Sequence, residues 1–308
     1  MSVIKVKKLT KDYGHNRGVF DVTFDVCQGE VFGFLGPNGA GKTTTIRHIM
    51  GFSRPQVGAT TVLGLDSWRH HDRIMRDVGY LPGEIALPEH LTGTQFIQYM
   101  AELRRMTDQT YAHQLIDRFE LKPEGSLKRM SAGMKRKLAI VTAFMHDPAI
   151  LVLDEPTSAL DPVMQDVFVQ FVKEEKARGK SILLSSHIFT EIDATCDRIS
   201  IIKDGRLVST FVANDLRYSD RKEWKIEFAN REEYERFTTD IAATKKFEIA
   251  SVKPTHNQAR VVVYDAQVNA FITELAGYSM HFFSEVKFTL EDYFMEFYDR
   301  NKTIGEAS

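Results

Sequence analysis

Residues Gly36-Pro37-Asn38-Gly39-Ala40-Gly41-Lys42-Thr43-Thr44 carry the spacing G-x-x-x-x-G-K-[ST]. These residue types can hold a phosphate chain. The glycines let the backbone curl so that successive N–H groups point at one spot, and a following helix adds partial positive charge there. Each charge-assisted N–H to phosphate bond is worth roughly 1.5–3 kcal/mol net. Lys42 supplies a full charge for β and γ phosphates, and the Thr43 hydroxyl is placed to ligate Mg²⁺. The context fits: Val31–Leu35 reads as a buried strand before the loop, and Thr43–Met50 as a helix after it.

A second group follows the apolar run Ile150–Leu153. Asp154-Glu155 at a strand end is rigidly aimed; Asp154 is expected to hold Mg²⁺, and Glu155 to orient and deprotonate an attacking water. His187 follows Ser185-Ser186 at another strand end, where it can donate to a γ-phosphate and sense its loss. A lone histidine would be unremarkable, but its place after these two motifs favours the functional reading. Met130-Ser131-Ala132-Gly133-Met134-Lys135 is a small-residue turn before a helix, a further anion-binding terminus. Two phosphate-binding ends for one nucleotide need not face each other within one subunit. A second copy of the chain solves this and predicts a dimer closed by ATP. Tyr13, ahead of the second strand, either stacks on adenine or is an ordinary turn tyrosine.

These groups need an α/β scaffold. The 308 residues are 43% hydrophobic, enough for one large or two modest cores. A net charge of −2 predicts no nucleic-acid partner from bulk electrostatics. Cys27 and Cys196, the only cysteines, read as buried thiols of a reducing compartment. No apolar stretch suggests a signal peptide, and no run approaches the ~18 residues of a membrane span, so any membrane crossing is expected from another chain.

Val3–Thr10 and Val19–Gln28 alternate as strands, and Thr60–Leu65 and Val78–Leu81 follow. From Glu84 to about Met145 the period turns helical, with Phe96, Tyr99, Met100 and Leu103 on one face and Leu115, Ile116 and Phe119 on another. Ser131 is a candidate cap for the helix ending at Met145. Met164–Arg178 and Ile188–Cys196 are helices, Ser181–Ser186 a buried strand and Arg198–Ile202 the final strand of the first domain. Strands alternating with helices imply a parallel sheet with both faces covered. After a linker near Asn214–Arg221 come strands at Trp224–Phe228, Phe247–Val252, Arg260–Tyr264 and His281–Phe288, with helices over Glu232–Thr244 and Val268–Ala276. That is the order β-α-β-β-α-β. Thr289-Leu290-Glu291-Asp292 resembles a capping box opening a last helix to Tyr298.

Gly36–Thr43, Ser131-Ala132-Gly133-Met134, Leu153-Asp154-Glu155-Pro156-Thr157, Ser158-Ala159-Leu160-Asp161 and His187 together resemble the ATP-binding subunit of an ABC transporter. The resemblance covers about Met1–Arg217 and is nearest to drug, bacteriocin and lipid exporters. It implies an ABC ATPase core over 1–217, with a parallel sheet, N-terminal antiparallel strands and a helical subdomain at about 84–145. An α+β ferredoxin-like domain over 218–308, with a dimerisation or regulatory role, completes the chain. It implies that Ser131-Ala132-Gly133 contacts the γ-phosphate in trans, that Asp161 lies at the dimer seam, and that Tyr13 stacks on adenine. It implies ATP and Mg²⁺, catalysis by Glu155, His187 and Lys42, and a separate membrane permease docking along about Pro82–Tyr99. The location implied is the cytoplasmic face of the membrane. A homodimer is favoured over a heterodimer by the retained catalytic set. Two departures stand out. Met130 and Ala132 replace the usual leucine and glycine, and Gly83 occupies the place of a glutamine that reaches Mg²⁺, so that either Glu84 substitutes through water or the site lacks this ligand. Alternatives are a soluble ABC ATPase acting on nucleic acid or ribosomes, and a regulatory subunit with poor hydrolysis.

Overall fold

A computed structural model describes residues 1–217, 220–286 and 289–299. It divides into two compact units, 1–213 and 214–308. The boundary expected at 217/218 lies beside residues 218 and 219, which are outside the described residues.

The first unit opens with β1 (Ser2–Asp12) and β2 (Gly18–Cys27), paired antiparallel with Ile4 opposite Val26 and Val6 opposite Phe24. A register shift between Val6 and Leu9, with Lys8 at φ +48°, returns Leu9 to the inner face opposite Val22. β3 (Val31–Leu35) is buried throughout, as a strand covered on both faces requires. Then come α1 (Lys42–Ile49), β4 (Val57–Val62), β5 (Leu65–Asp66), α2 (His71–Asp77) and β6 (Val78–Leu81). Helices α3 (Gly93–Leu103), α4 (Thr110–Arg118) and α5 (Ala132–Phe144) form the expected helical region. They precede β7 (Ile150–Asp154), α6 (Pro162–Ala177), β8 (Ser181–Ser186), α7 (Phe189–Thr195), β9 (Arg198–Lys203) and β10 (Arg206–Val212).

Strands β2-β1-β4-β5 make an antiparallel sheet, and β10-β9-β3-β8-β7-β6 a second one that is parallel except for its β10 edge. Register aligns the carboxyl ends of the central strands: Leu35 lies beside Ser186, Asp154 beside Ser185, and Leu81 beside Leu153. The loops that leave those ends therefore emerge at one edge, the usual place for ligands in parallel sheets.

Three sequence expectations are corrected. Arg198–Ile202 is not the last strand of this unit, because β10 follows and pairs antiparallel with β9. Its burial alternates between exposed and half-buried, so it lacks the apolar run of a central strand. On α3 the buried positions are Gly93, Ile97 and Ala101, while Tyr99 and Leu103 are 50% and 60% exposed; the core face is rotated from the one expected. Cys196 is buried, but Cys27 is only partly so.

The second unit begins with α8 (Ala213–Arg217) just at the division. It continues through β11 (Arg221–Phe228), α9 (Arg231–Thr244), β12 (Glu248–Lys253), β13 (Gln258–Tyr264), α10 (Val268–Leu275), β14 (Met280–Val286) and α11 (Leu290–Asp299). The sheet order is β12-β13-β11-β14, with every pair antiparallel. Phe228, Phe237, Ile241, Val261, Val263 and Phe271 form its core. The strand expected over His281–Phe288 is present through Val286 as β14; positions 287 and 288 lie outside the described residues. The reciprocal cap opening α11 is present: Asp292 N–H donates to Thr289 Oγ1 at 3.1 Å, and Thr289 N–H to Asp292 Oδ2 at 2.9 Å.

Candidate nucleotide site

The loop between β3 and α1 hands the chain to the helix through Gly41 at φ +109°, a conformation that side chains rarely adopt. A Cβ there would also come 2.8 Å from Val19 Cγ1. Lys42 opens α1 and turns back under the loop, 5% exposed. Its Nζ donates to Gly36 O at 2.5 Å and Pro37 O at 3.1 Å, and pairs with Glu155 Oε1 at 3.0 Å. Thr43 Oγ1 donates to Asp154 Oδ2 at 2.7 Å. Asp154, wholly buried at the end of β7, also accepts a bond from Ser185 Oγ on the neighbouring strand.

Glu155 stands at φ +50°, the left-handed region that non-glycine residues enter at a cost. That turn lets the chain leave the sheet while the carboxylate faces Lys42. His187 Nδ1 lies 2.6 Å from Glu155 Oε2; with the carboxylate ionised, Nδ1 carries the proton. Parallel register thus gathers Lys42, Thr43, Asp154, Glu155 and His187 into one cluster.

Other expected residues stand apart from that cluster. Ser131 caps α5, accepting from Met134 N–H at 3.2 Å. Ala132 opens the helix without a positive φ, so its extra methyl is accommodated. Among the described residues no hydrogen bond or ion pair joins Ser131, Ala132 or Gly133 to Gly36–Thr44. Asp161 Oδ1 caps α6, accepting from Met164 N–H at 3.0 Å, with Pro162 at the first helical position. Tyr13 is 58% exposed on the turn after β1, with Lys11 Nζ 5.7 Å above its ring.

Several residues at this edge escaped sequence reasoning. Ser185 is one, legible only once β7 and β8 are known to be neighbours. Glu191, on α7, is another: burial pushes its carboxyl up to about 7, with the Ser186 and Thr157 hydroxyls acting against that rise and the Glu155 charge adding to it. Tyr80 is likewise held near 12, chiefly by burial and then by the Asp154 charge.

A glycine loop on a parallel sheet, its lysine and hydroxyl meeting two strand-end acids and a histidine, defines a P-loop ATPase. The ABC transporter family matches residues 19–158. The bacitracin transport ATP-binding protein BcrA of Bacillus licheniformis is 33% identical over 72% of this chain and 73% of its own. The Nod factor export ATP-binding protein I of Paraburkholderia xenovorans is 34% identical over 68% of this chain and 70% of its own. Among solved structures, an ATP-binding subunit of an ABC transporter is 32% identical with a TM-score of 0.64, over 70% of this chain and 92% of that one. A dimeric ATP-binding cassette bound to ADP and Pi shares the fold with a TM-score of 0.62 at 22% identity, over 68% of this chain and 98% of that one. The chain belongs to the ATP-binding subunits of ABC transporters, and it is an ATPase.

Proposed function

We propose that this chain is the motor of an ABC export system, with Glu155 as its general base. The observation that carries this reading is the shared position of Glu155, 3.0 Å from Lys42 and 2.6 Å from His187 at one sheet edge. Lys42 exchanges its contacts with Gly36 O, Pro37 O and Glu155 for the β and γ phosphates of ATP, whose chain lies along Gly36–Thr44 under the N–H groups of the loop. Glu155, released from Lys42, orients the attacking water and takes its proton. With ATP bound, His187 gives up its contact with Glu155 and donates a ring N–H to the γ-phosphate. Tyr13 stacks on the adenine.

Thr43 and Asp154 suit a magnesium ion: a hydroxyl and a carboxylate, 2.7 Å apart, with the acid buried and in no ion pair among the described residues. Mg²⁺ bound there supplies charge neutralisation on the β and γ phosphates.

Ser131, Ala132 and Gly133 serve the nucleotide of a second copy, and Asp161 lies at the seam between copies. Their position at an exposed helix start, with no hydrogen bond or ion pair to Gly36–Thr44 of their own chain among the described residues, supports that assignment. Two identical chains give two equal sites. No helix among the described residues is long and apolar enough to cross a membrane. The export reading gives the crossing to a separate permease and puts this chain on its cytoplasmic face. The exposed Tyr99 and Leu103 of α3 support docking of that partner on the helical region. The element order and strand order of the second unit support a ferredoxin-like domain with a dimerisation or regulatory role.

Phosphate release from MgATP by the full-length chain tests the reading. Lys42→Ala abolishes it, and Glu155→Gln lowers turnover by about 10²–10⁴-fold while ATP still binds. Unchanged turnover in Glu155→Gln would reject Glu155 as the base. Copurification with a membrane protein, rather than with RNA or DNA, separates export from the nucleic-acid alternative.

A further inference from the structure

One buried cation near the site has no part in the chemistry above. Arg136 lies in the second turn of α5, only 5% exposed, with its guanidinium spread over two other segments. Nη1 donates to Pro82 O at 2.8 Å, and Nη2 to Gly83 O at 2.6 Å. Nε donates to Ser158 O at 3.1 Å, and Nη2 also bonds Ser158 Oγ. One planar fork therefore fastens α5 to the loop leaving β6 and to the loop that follows Glu155. Burial opposes its charge, and the carboxylates of Asp154, Glu155 and Glu191 favour it.

Gly83 explains why such a fork is needed. Its backbone runs against the Asp154 carboxylate: a Cβ at this position would stand 3.0 Å from Oδ2 and 3.3 Å from Cγ. The loop thus touches Asp154 through its main chain and has no side chain at 83 with which to hold its place. The loop is also one of the two covalent connections between the sheet and helices α3–α5, which lie between β6 and β7. A displacement of α5 pulls two carbonyls beside Asp154 and one residue three positions after Glu155.

We propose that Arg136 is the positioning residue through which the placement of the helical region controls hydrolysis, by holding the Pro82–Gly83 and Ser158 segments in register with Asp154 and Glu155. This rests on the reading of those two acids as the hydrolytic pair. Lysine at 136 keeps the charge but not the fork, because a single ammonium cannot serve carbonyls on both sides.

The test uses full-length Arg136→Lys, with Arg136→Ala beside it, wild type and Glu155→Gln as references. Turnover is normalised to the nucleotide-binding stoichiometry, and amide exchange is followed over residues 82–86, 156–161 and 36–45. For Arg136→Lys we expect kcat to fall roughly tenfold to hundredfold while ATP affinity stays within about twofold, the cost of misplacing groups without removing any. Exchange rises over 82–86 and 156–161 and is unchanged over 36–45. A residue that merely stabilised the fold would leave kcat per binding site at the wild-type value, and that result in Arg136→Lys overturns the proposal even if Arg136→Ala does not fold. If Glu155→Gln turns over as fast as wild type, the reading of the hydrolytic pair fails, and this proposal falls with it. A fast Arg136→Lys beside a dead Glu155→Gln removes the proposal alone.

Discussion

Ser185→Ala isolates one bond at the centre of the site. Asp154 is fully buried, and two hydroxyls satisfy it, Thr43 on Oδ2 and Ser185 on Oδ1. Alanine deletes the second donor and leaves a buried carboxylate oxygen without a partner. A hydrogen bond to a charged group contributes about 1.5–3 kcal/mol. In a unit of this size each kcal/mol moves the melting temperature by about 2–4 °C, so a fall of roughly 3–12 °C is expected for the unit holding the site. Thermal unfolding followed by circular dichroism reads it directly. Ser186→Ala is the control for Asp154, since Ser186 Oγ accepts from Ile188 N–H at 2.9 Å and its hydroxyl bonds the Glu191 carboxyl rather than Asp154; it costs about 0.5–1.5 kcal/mol for each bond lost. The apparent affinity of ATP hydrolysis for Mg²⁺ is expected to weaken in Ser185→Ala and not in Ser186→Ala. A Ser185→Ala protein that melts within about 1 °C of wild type, with the same Mg²⁺ dependence, would refute the idea that this serine orients Asp154.

The pH dependence of stability isolates Glu191, whose carboxyl is raised from its ordinary 4.5 to about 7, chiefly by burial. A group so raised adds stability that is complete below pH 4.5 and lost as pH rises through 7. Glu191→Gln is expected to remove a contribution on the order of 3 kcal/mol from the fall in stability across that window, as measured by denaturant unfolding at several pH values. Phe237→Ala empties the core of the second unit, where its ring lies 4.8 Å from Phe228 and 5.2 Å from Tyr278. A loss of about 3–5 kcal/mol is expected in that unit's unfolding, with ATP binding retained because the site residues all lie in 1–213. Tyr13→Ala is expected to raise the KM for ATP by roughly fivefold or more, the worth of one base stack, and Tyr13→Phe to leave it unchanged.

The parts of the site legible in the sequence are those whose chemistry is local. The Gly36–Thr44 loop, the acids after Ile150–Leu153 and the histidine after Ser181–Ser186 each announce themselves within ten residues. Parallel register then brings them together without further information. Ser185 and Arg136 were not legible, because each acts on a partner from a distant segment: Ser185 lies 31 positions from Asp154, and Arg136 lies 53 from Gly83. α2 went unseen because Ile74 is its one buried residue, too few for a period. β10 went unseen because an edge strand needs no continuous apolar run. On α3 the aromatic residues drew the eye to the wrong face, and the small Gly93 and Ala101 with Ile97 turned out to be the ones that pack.

The central claim is that two copies of this chain close on ATP, each lending the other its Ser131–Gly133 turn. Sedimentation of Glu155→Gln with and without MgATP tests it most directly. The account predicts a monomer without nucleotide and a dimer with it, and a return to monomer when Ser131 is replaced by arginine. A Glu155→Gln protein that binds MgATP and still sediments as a monomer at high concentration would contradict it.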